Sequence, residues 1–140
     1  MTTGTPVSRP TVTPTALTKG FWEAAARGEL VVQRCSCGQL RHYPQPMCPT
    51  CHSVEWEWVP LSGRGSVFSF TVSYKAFHPA WTGRVPYAVV AVELEEGVRM
   101  MSDLPAEDTD AVAIGAPVEV FFDPQPDGLT LPRFRLVRGR

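Results

Sequence analysis

The sequence predicts a mainly-β protein: an N-terminal helix, a rubredoxin-like zinc ribbon, and then a five-stranded OB-type barrel. Three observations point there. All four cysteines of the 140-residue chain fall in one stretch, as Cys35-Ser-Cys37 and Cys48-Pro-Thr-Cys51. Beyond Pro60, apolar residues alternate with polar ones in short runs divided by Gly, Pro and acidic turns, which is the pattern of strands. Ahead of the cysteines, a single segment carries the start and stop signals of a helix.

In chain order, residues 1–14 are mostly Thr, Pro, Ser and Gly, have little to bury, and are expected to form a disordered tail. Residues 15–59 hold the helix and ribbon, and residues 60–140 the barrel. The helix is expected from Thr18 to Arg27. Thr18 supplies the N-cap, Ala24, Ala25 and Ala26 are strong formers, and Gly28 ends it. Gly20 weakens it. Phe21 and Trp22 are larger than so short a helix needs for itself. Packing on the ribbon or barrel is the plainer expectation for them; contact with a partner or an acyl chain is the sharper one. Leu30 to Gln33 leads as a strand into the first cysteine pair. Val54 to Val59 leads out of the second, with Trp56 and Trp58 on one face as a small apolar lid.

Two close thiol pairs joined by a hairpin arm are what a tetrahedral zinc ion needs, because each tight turn offers two sulfurs. Cys35, Cys37, Cys48 and Cys51 are therefore the expected ligands of a structural Zn2+. The commoner ribbon has two residues between the cysteines of each pair. Here the first pair has one, which tightens the turn and removes a backbone N–H from the sulfurs' surroundings. An emptied ribbon and a disulfide pair are the alternatives. With no signal-peptide pattern ahead of the cluster, a reducing, cytoplasmic compartment is expected, where disulfides fit worst. Four thiolates fill the coordination sphere, so a catalytic zinc with bound water is not expected. His42 and His52 read as surface imidazoles on the ribbon arm.

The barrel strands follow. Gly63-Arg-Gly65 opens a run from Ser66 to Tyr74, in which Phe68, Phe70, Val72 and Tyr74 are expected inward and Ser69, Thr71 and Ser73 outward. Tyr87 to Leu94 is apolar on both faces until Glu93, as in a strand covered on both sides. Glu95-Glu96-Gly97 turns the chain into a hairpin partner, Val98 to Leu104. After a polar loop, Pro105 to Asp110, come Pro117 to Phe122, with Val118, Val120 and Phe122 inward, and Leu129 to Val137. Pro132 suits an edge or a bulge in the last strand. With no convincing helix between these strands, a small antiparallel barrel of OB type ranks above an immunoglobulin-like sandwich, which wants about seven strands.

Composition narrows the function. Hydrophobic residues make up 44% and charged residues 19%, the range of a folded globular protein. No apolar run approaches the ~20 residues of a membrane-spanning helix. Thirteen Lys and Arg stand against 14 acidic residues, which argues against a chain built to wrap phosphate backbones. No nucleophile–base set or Gly-rich phosphate loop appears, so no catalytic residue is assigned.

Several stretches together resemble a known family. They are Phe21-Trp-Glu23, Gly28 to Cys35, the ribbon, Leu61-Ser-Gly-Arg-Gly65, Pro86 to Val98, Ile114-Gly-Ala-Pro-Val118 and Pro132-Arg-Phe134. Over about residues 15–137 the chain is similar to the zinc-ribbon plus OB-fold proteins long catalogued only as a domain of unknown function, DUF35. Members are small companions of thiolase-superfamily enzymes. They accompany acetoacetyl-CoA thiolase and hydroxymethylglutaryl-CoA synthase in archaea, and in actinobacteria the lipid-transfer-protein-like aldolases that shorten steroid side chains as CoA thioesters. The resemblance therefore implies a non-catalytic accessory subunit in a hetero-oligomer, with acyl-CoA near the interface and steroid side-chain degradation as the finer expectation.

The loop from Lys75 to Val85 is the segment a barrel does not need. It is too long for a tight hairpin and carries Phe77, His78 and Trp81, with Tyr74, Lys75 and Arg84 at its base. These six residues are expected to bind the partner or border its substrate channel; an ordinary loop folded over the barrel mouth is the plainer reading. Arg64 and Arg99, with Lys75 and Arg84 less distinct, are candidate contacts for CoA phosphates, which guanidinium forks suit; solvated surface charge competes. Two other classes stand beside the accessory subunit. One is a single-stranded nucleic-acid-binding module, since OB barrels and zinc ribbons both take that role. The other is a free-standing enzyme working at the barrel mouth.

Overall fold

The computed structural model describes residues 9–138. It contains one α-helix, α1 (Lys19–Ala26), and eight strands. Thr18 sits at the N-cap, although its hydroxyl bonds the Thr15 N–H at 2.9 Å rather than a helical amide. Gly28 stops the helix in the left-handed region, at φ +80°, where its N–H reaches the Ala25 carbonyl at 3.0 Å. Gly20 has a reason beyond helix propensity. A Cβ there would lie 2.2 Å from the Trp58 indole nitrogen, so α1 rests directly on the ribbon sheet.

That small sheet is antiparallel, in the order β2-β1-β3, from β1 (Val31–Cys35), β2 (Leu40–Arg41) and β3 (Trp56–Pro60). Cys35 lies opposite Trp56 at the metal end, and the Trp56 and Trp58 rings meet edge-on at 4.9 Å on one face. Gln33 is fully buried and accepts hydrogen bonds from Arg41 Nε (2.6 Å) and Gln45 N–H (2.9 Å), which pins the arm between the two cysteine pairs.

The remaining strands are β4 (Arg64–Ser73), β5 (Tyr87–Leu94), β6 (Arg99–Asp103), β7 (Pro117–Pro124) and β8 (Thr130–Leu136), in sheet order β6-β5-β4-β7-β8. They curl into a nearly closed antiparallel barrel of OB type. Across the seam, Ser102 Oγ donates to the Pro132 carbonyl at 3.2 Å, and Arg133 clasps Asp103 with two bonds of 2.7 and 3.1 Å. The last strand, expected as an edge or bulged strand from Pro132, is the terminal strand of the sheet order, and it faces β6 across this seam. The core is shared: Phe21, Leu30 and Val31 from the N-terminal part join Val90, Leu94 and Phe134 of the barrel in one apolar cluster.

Three of the four side chains expected inward on the run from Ser66 to Tyr74, namely Phe68, Phe70 and Tyr74, are exposed, and Tyr74 lies beyond the end of β4. A bulge between Val67 and Ser69 inserts one residue into β4, so Val67 is buried while Phe68 turns out to solvent beneath the Arg99 guanidinium, 3.7 Å from its ring centre. Phe70 stays in register with buried Val90 but is still 36% exposed, because β7 pairs with β4 only over Arg64–Ser66 and leaves the far half of the strand uncovered. Of the expected disordered tail, residues 1–8 lie outside the described residues. Arg9 bonds Gln125 and Asp127 on the barrel.

Candidate functional site

The metal centre is built by two turns. Cys35 ends β1 and Cys37 follows in the turn, while Cys48 and Cys51 flank a second turn beyond the arm of residues 38–47. The four sulfurs lie within 4.8 Å of one another. Cys35 and Cys51 Sγ are 3.4 Å apart, and Cys37 and Cys48 Sγ are 3.9 Å apart. A tetrahedron with Zn–S bonds of ~2.3 Å has edges of roughly 3.8 Å, so this donor set fits one zinc ion. A disulfide would need about 2.05 Å. The shortened first turn still gives an amide to its sulfur: Cys37 N–H points at Cys35 Sγ at 3.5 Å, as Thr50 N–H does at Cys48 Sγ, 3.4 Å away.

These amides act on the thiols. The Cys37 N–H draws the Cys35 thiol down to about 6 against the effect of burial, and the Cys51 and Thr50 amides lower Cys48. Cys51 goes the other way. The Ser53 amide favours its thiolate, but sharing a hydrogen bond with Cys35, together with burial, pushes it up to about 12. Four thiols this close cannot all ionise without a cation between them.

The second feature is a pocket of about 470 Å³ on the outer face of β5 and β6. Tyr87, Val89 and Met101 form its floor, β8 contributes Leu131 to Arg133, and Trp81 closes one end. Its roof comes from outside the barrel: Phe21 and Trp22 of α1, and His42, Tyr43 and Pro44 of the ribbon arm. The Tyr43 hydroxyl accepts the Met101 N–H at 3.3 Å and ties the roof to β6. His42, expected on the surface, is wedged against Phe21 (5.4 Å) and Tyr43 (4.2 Å). Burial lowers its pKa to about 4, so the ring is neutral, and its Nδ1 is buried without a partner. Arg133, at the pocket's polar end, is held by Asp103 and by Asp123 at 2.9 Å. Burial opposes its charge, but the two carboxylates outweigh it and raise its pKa.

The structure divides the residues expected to form the partner-facing loop. Trp81 turns into the apolar pocket, and Arg84 lines an adjoining polar one with Arg9 and Arg133. Tyr74 (78% exposed), Phe77 (75% exposed) and Lys75 stand on the other side, around a hollow that shares Tyr87 and Val89 with the apolar pocket. His78 is taken up locally, its Nδ1 accepting the Ala80 N–H at 3.0 Å. Arg64 pairs with Glu95 at 3.2 Å and Arg99 with Glu93 at 3.4 Å, so both are already engaged on the surface. Sequence reasoning missed His42, Tyr43 and the seam residues. The legible signals were the oversized pair Phe21-Trp22 and Trp81 of the long loop.

Residues 22–57 match the family described as the ChsH2 rubredoxin-like zinc ribbon domain, and residues 58–123 the ChsH2 C-terminal OB-fold domain. The chain is 44% identical over 107 residues to the 3-oxo-4,17-pregnadiene-20-carboxyl-CoA hydratase alpha subunit of Mycobacterium tuberculosis, covering 76% of this chain and 34% of that one. It is 41% identical over 75 residues to the benzoylsuccinyl-CoA thiolase subunit BbsA of Geobacter metallireducens, 53% of this chain and 49% of that one. A solved structure, the Ltp2-ChsH2(DUF35) aldolase, contains a chain that superposes with a TM-score of 0.80 at 40% identity, covering 91% of this chain and 98% of that one. The chain spans about a third of the length of the first curated relatives it matches, 36% and 34%.

Proposed function

This chain belongs to the DUF35 family of zinc-ribbon and OB-fold proteins of the ChsH2 type, and from that premise we propose that it is a non-catalytic accessory subunit of a thiolase-superfamily enzyme acting on acyl-CoA thioesters. The observation that carries the reading is the 0.80 superposition, over nearly the whole of the other chain, on a component of an aldolase assembly. The thiolase subunit among the relatives supports the same partner class. The hydratase subunit named for a pregnadiene carboxyl-CoA supports a steroid thioester as the finer substrate.

Zinc is the structural ion of the ribbon. Cys35, Cys37, Cys48 and Cys51 are its ligands in this reading. It supplies no chemistry beyond joining the two turns, because four thiolates leave no coordination position for a reactant. Tyr74, Lys75 and Phe77 form the docking surface. Large, exposed aromatic rings on a loop are the residue type that anchors interfaces. The acyl-CoA lies near that interface, with Trp81 and Arg84 on the side of the substrate channel.

A single-stranded nucleic-acid reading is disfavoured by one feature. An OB barrel presents a bound strand on its second and third strands, here β5 and β6, and that face is covered by α1 and the ribbon arm. No helix among the described residues is long and apolar enough to cross a membrane. The test is co-expression with a candidate thiolase-superfamily subunit. The proposal expects a stable complex that Phe77→Ala with Tyr74→Ala abolishes. A complex unaffected by both changes removes the docking surface.

A further inference from the structure

We infer that the pocket between the barrel face and its roof is a binding site for the uncharged acyl end of a thioester, and that the two cysteine turns hold its roof in place. The inference rests on the acyl-CoA reading above and goes beyond it by naming the site, the end of the ligand bound there and what keeps the site closed.

The chemistry of the walls selects the ligand. The pocket's volume of about 470 Å³ falls in the range of small-molecule sites, roughly 300–1,000 Å³. Phe21, Trp22, Tyr43, Trp81 and Tyr87 give it aromatic walls, and Met101 adds an adaptable thioether. Its two charged lining residues, Arg133 and Asp103, are bonded to each other, and Asp123 occupies another guanidinium nitrogen from outside the pocket, so no fork is spare for a phosphate. His42 is neutral. An uncharged body is accepted, and the nucleotide end of CoA is left outside.

The topology supplies the clamp. His42, Tyr43 and Pro44 sit in the arm between Cys37 and Cys48, so the metal site grips both ends of the segment that roofs the pocket. Trp58, which follows the second turn, presses on Gly20 and fixes α1, the other half of the roof.

The experiment uses the full zinc-loaded chain. Decanoyl-CoA, free CoA and methyl decanoate are titrated against tryptophan emission, since Trp22 and Trp81 line the pocket. Decanoyl-CoA is expected to bind at least ten-fold more tightly than free CoA, with methyl decanoate competing. Tyr43→Ala, at an exposed residue, and Leu131→Trp, which fills the cavity, should each weaken binding ten-fold or more and leave the barrel's circular dichroism intact. Chelation of the metal should do the same while the barrel stays folded. Equal affinity for free CoA, or no effect of either variant, overturns the site. Binding unchanged by chelation overturns the clamp. If no thioester binds and Tyr43→Ala instead weakens capture of the partner subunit, the pocket docks protein and the inference falls. A chain that binds decanoyl-CoA but no thiolase-superfamily subunit would refute the accessory reading and leave the site standing.

Discussion

Gly20 and His42 show how single residues set the roof of the pocket. Gly20 is small because the Trp58 indole occupies the place a side chain would need. Gly20→Ala should destabilise the protein by about 1–3 kcal/mol through overpacking, read as a lower midpoint in thermal unfolding. That is opposite in sign to the gain expected from helix propensity alone. His42 makes a second case. Its folded pKa of about 4 lies below the ~6.5 of an unfolded histidine, so the neutral ring's contribution is fully present above pH 6.5. It is lost as pH falls from 6.5 towards 4, by up to about 3 kcal/mol. Denaturant midpoints followed against pH should show this slope in the native chain and a smaller one in His42→Phe. Parallel slopes would mean that the imidazole titrates freely.

At the scale of elements, Arg133 joins three strands by bonding Asp103 on β6 and Asp123 on β7 from its own place on β8. Arg133→Met removes the clasp and leaves two carboxylates facing each other. A loss of about 1–3 kcal/mol is expected, with faster hydrogen exchange confined to β6 and β8. Exchange that rises evenly over the barrel would contradict a local seam. The elements were legible in unequal measure. The β5 strand was readable to its end residues, because Tyr87 to Leu94 is bounded by Pro86 and an acidic turn. The ribbon was readable because metal spacing is local. The β4 bulge was not: one inserted residue reverses which side chains face inward, and alternation alone cannot reveal it. Nor was the pocket, which brings together α1, the ribbon arm, Trp81 of the long loop, and β5, β6 and β8 from distant parts of the chain.

For the whole molecule, the ribbon and barrel share one core, and the ribbon also reaches over the outer face of β5 and β6. Metal removal should therefore act beyond the ribbon. Cys37→Ser is expected to lower zinc content below one ion per chain and to weaken complex formation, measured by metal analysis and size-exclusion chromatography on the same sample. Full zinc content in that variant would remove Cys37 from the ligand set. The central claim is that reaction chemistry belongs to the partner polypeptide. The most direct measurement compares turnover of a steroid-type acyl-CoA by this chain, by the proposed thiolase-superfamily partner, and by the reconstituted pair. Turnover that requires the pair, with none from this chain alone, is the predicted result. Measurable conversion by the isolated chain would contradict it.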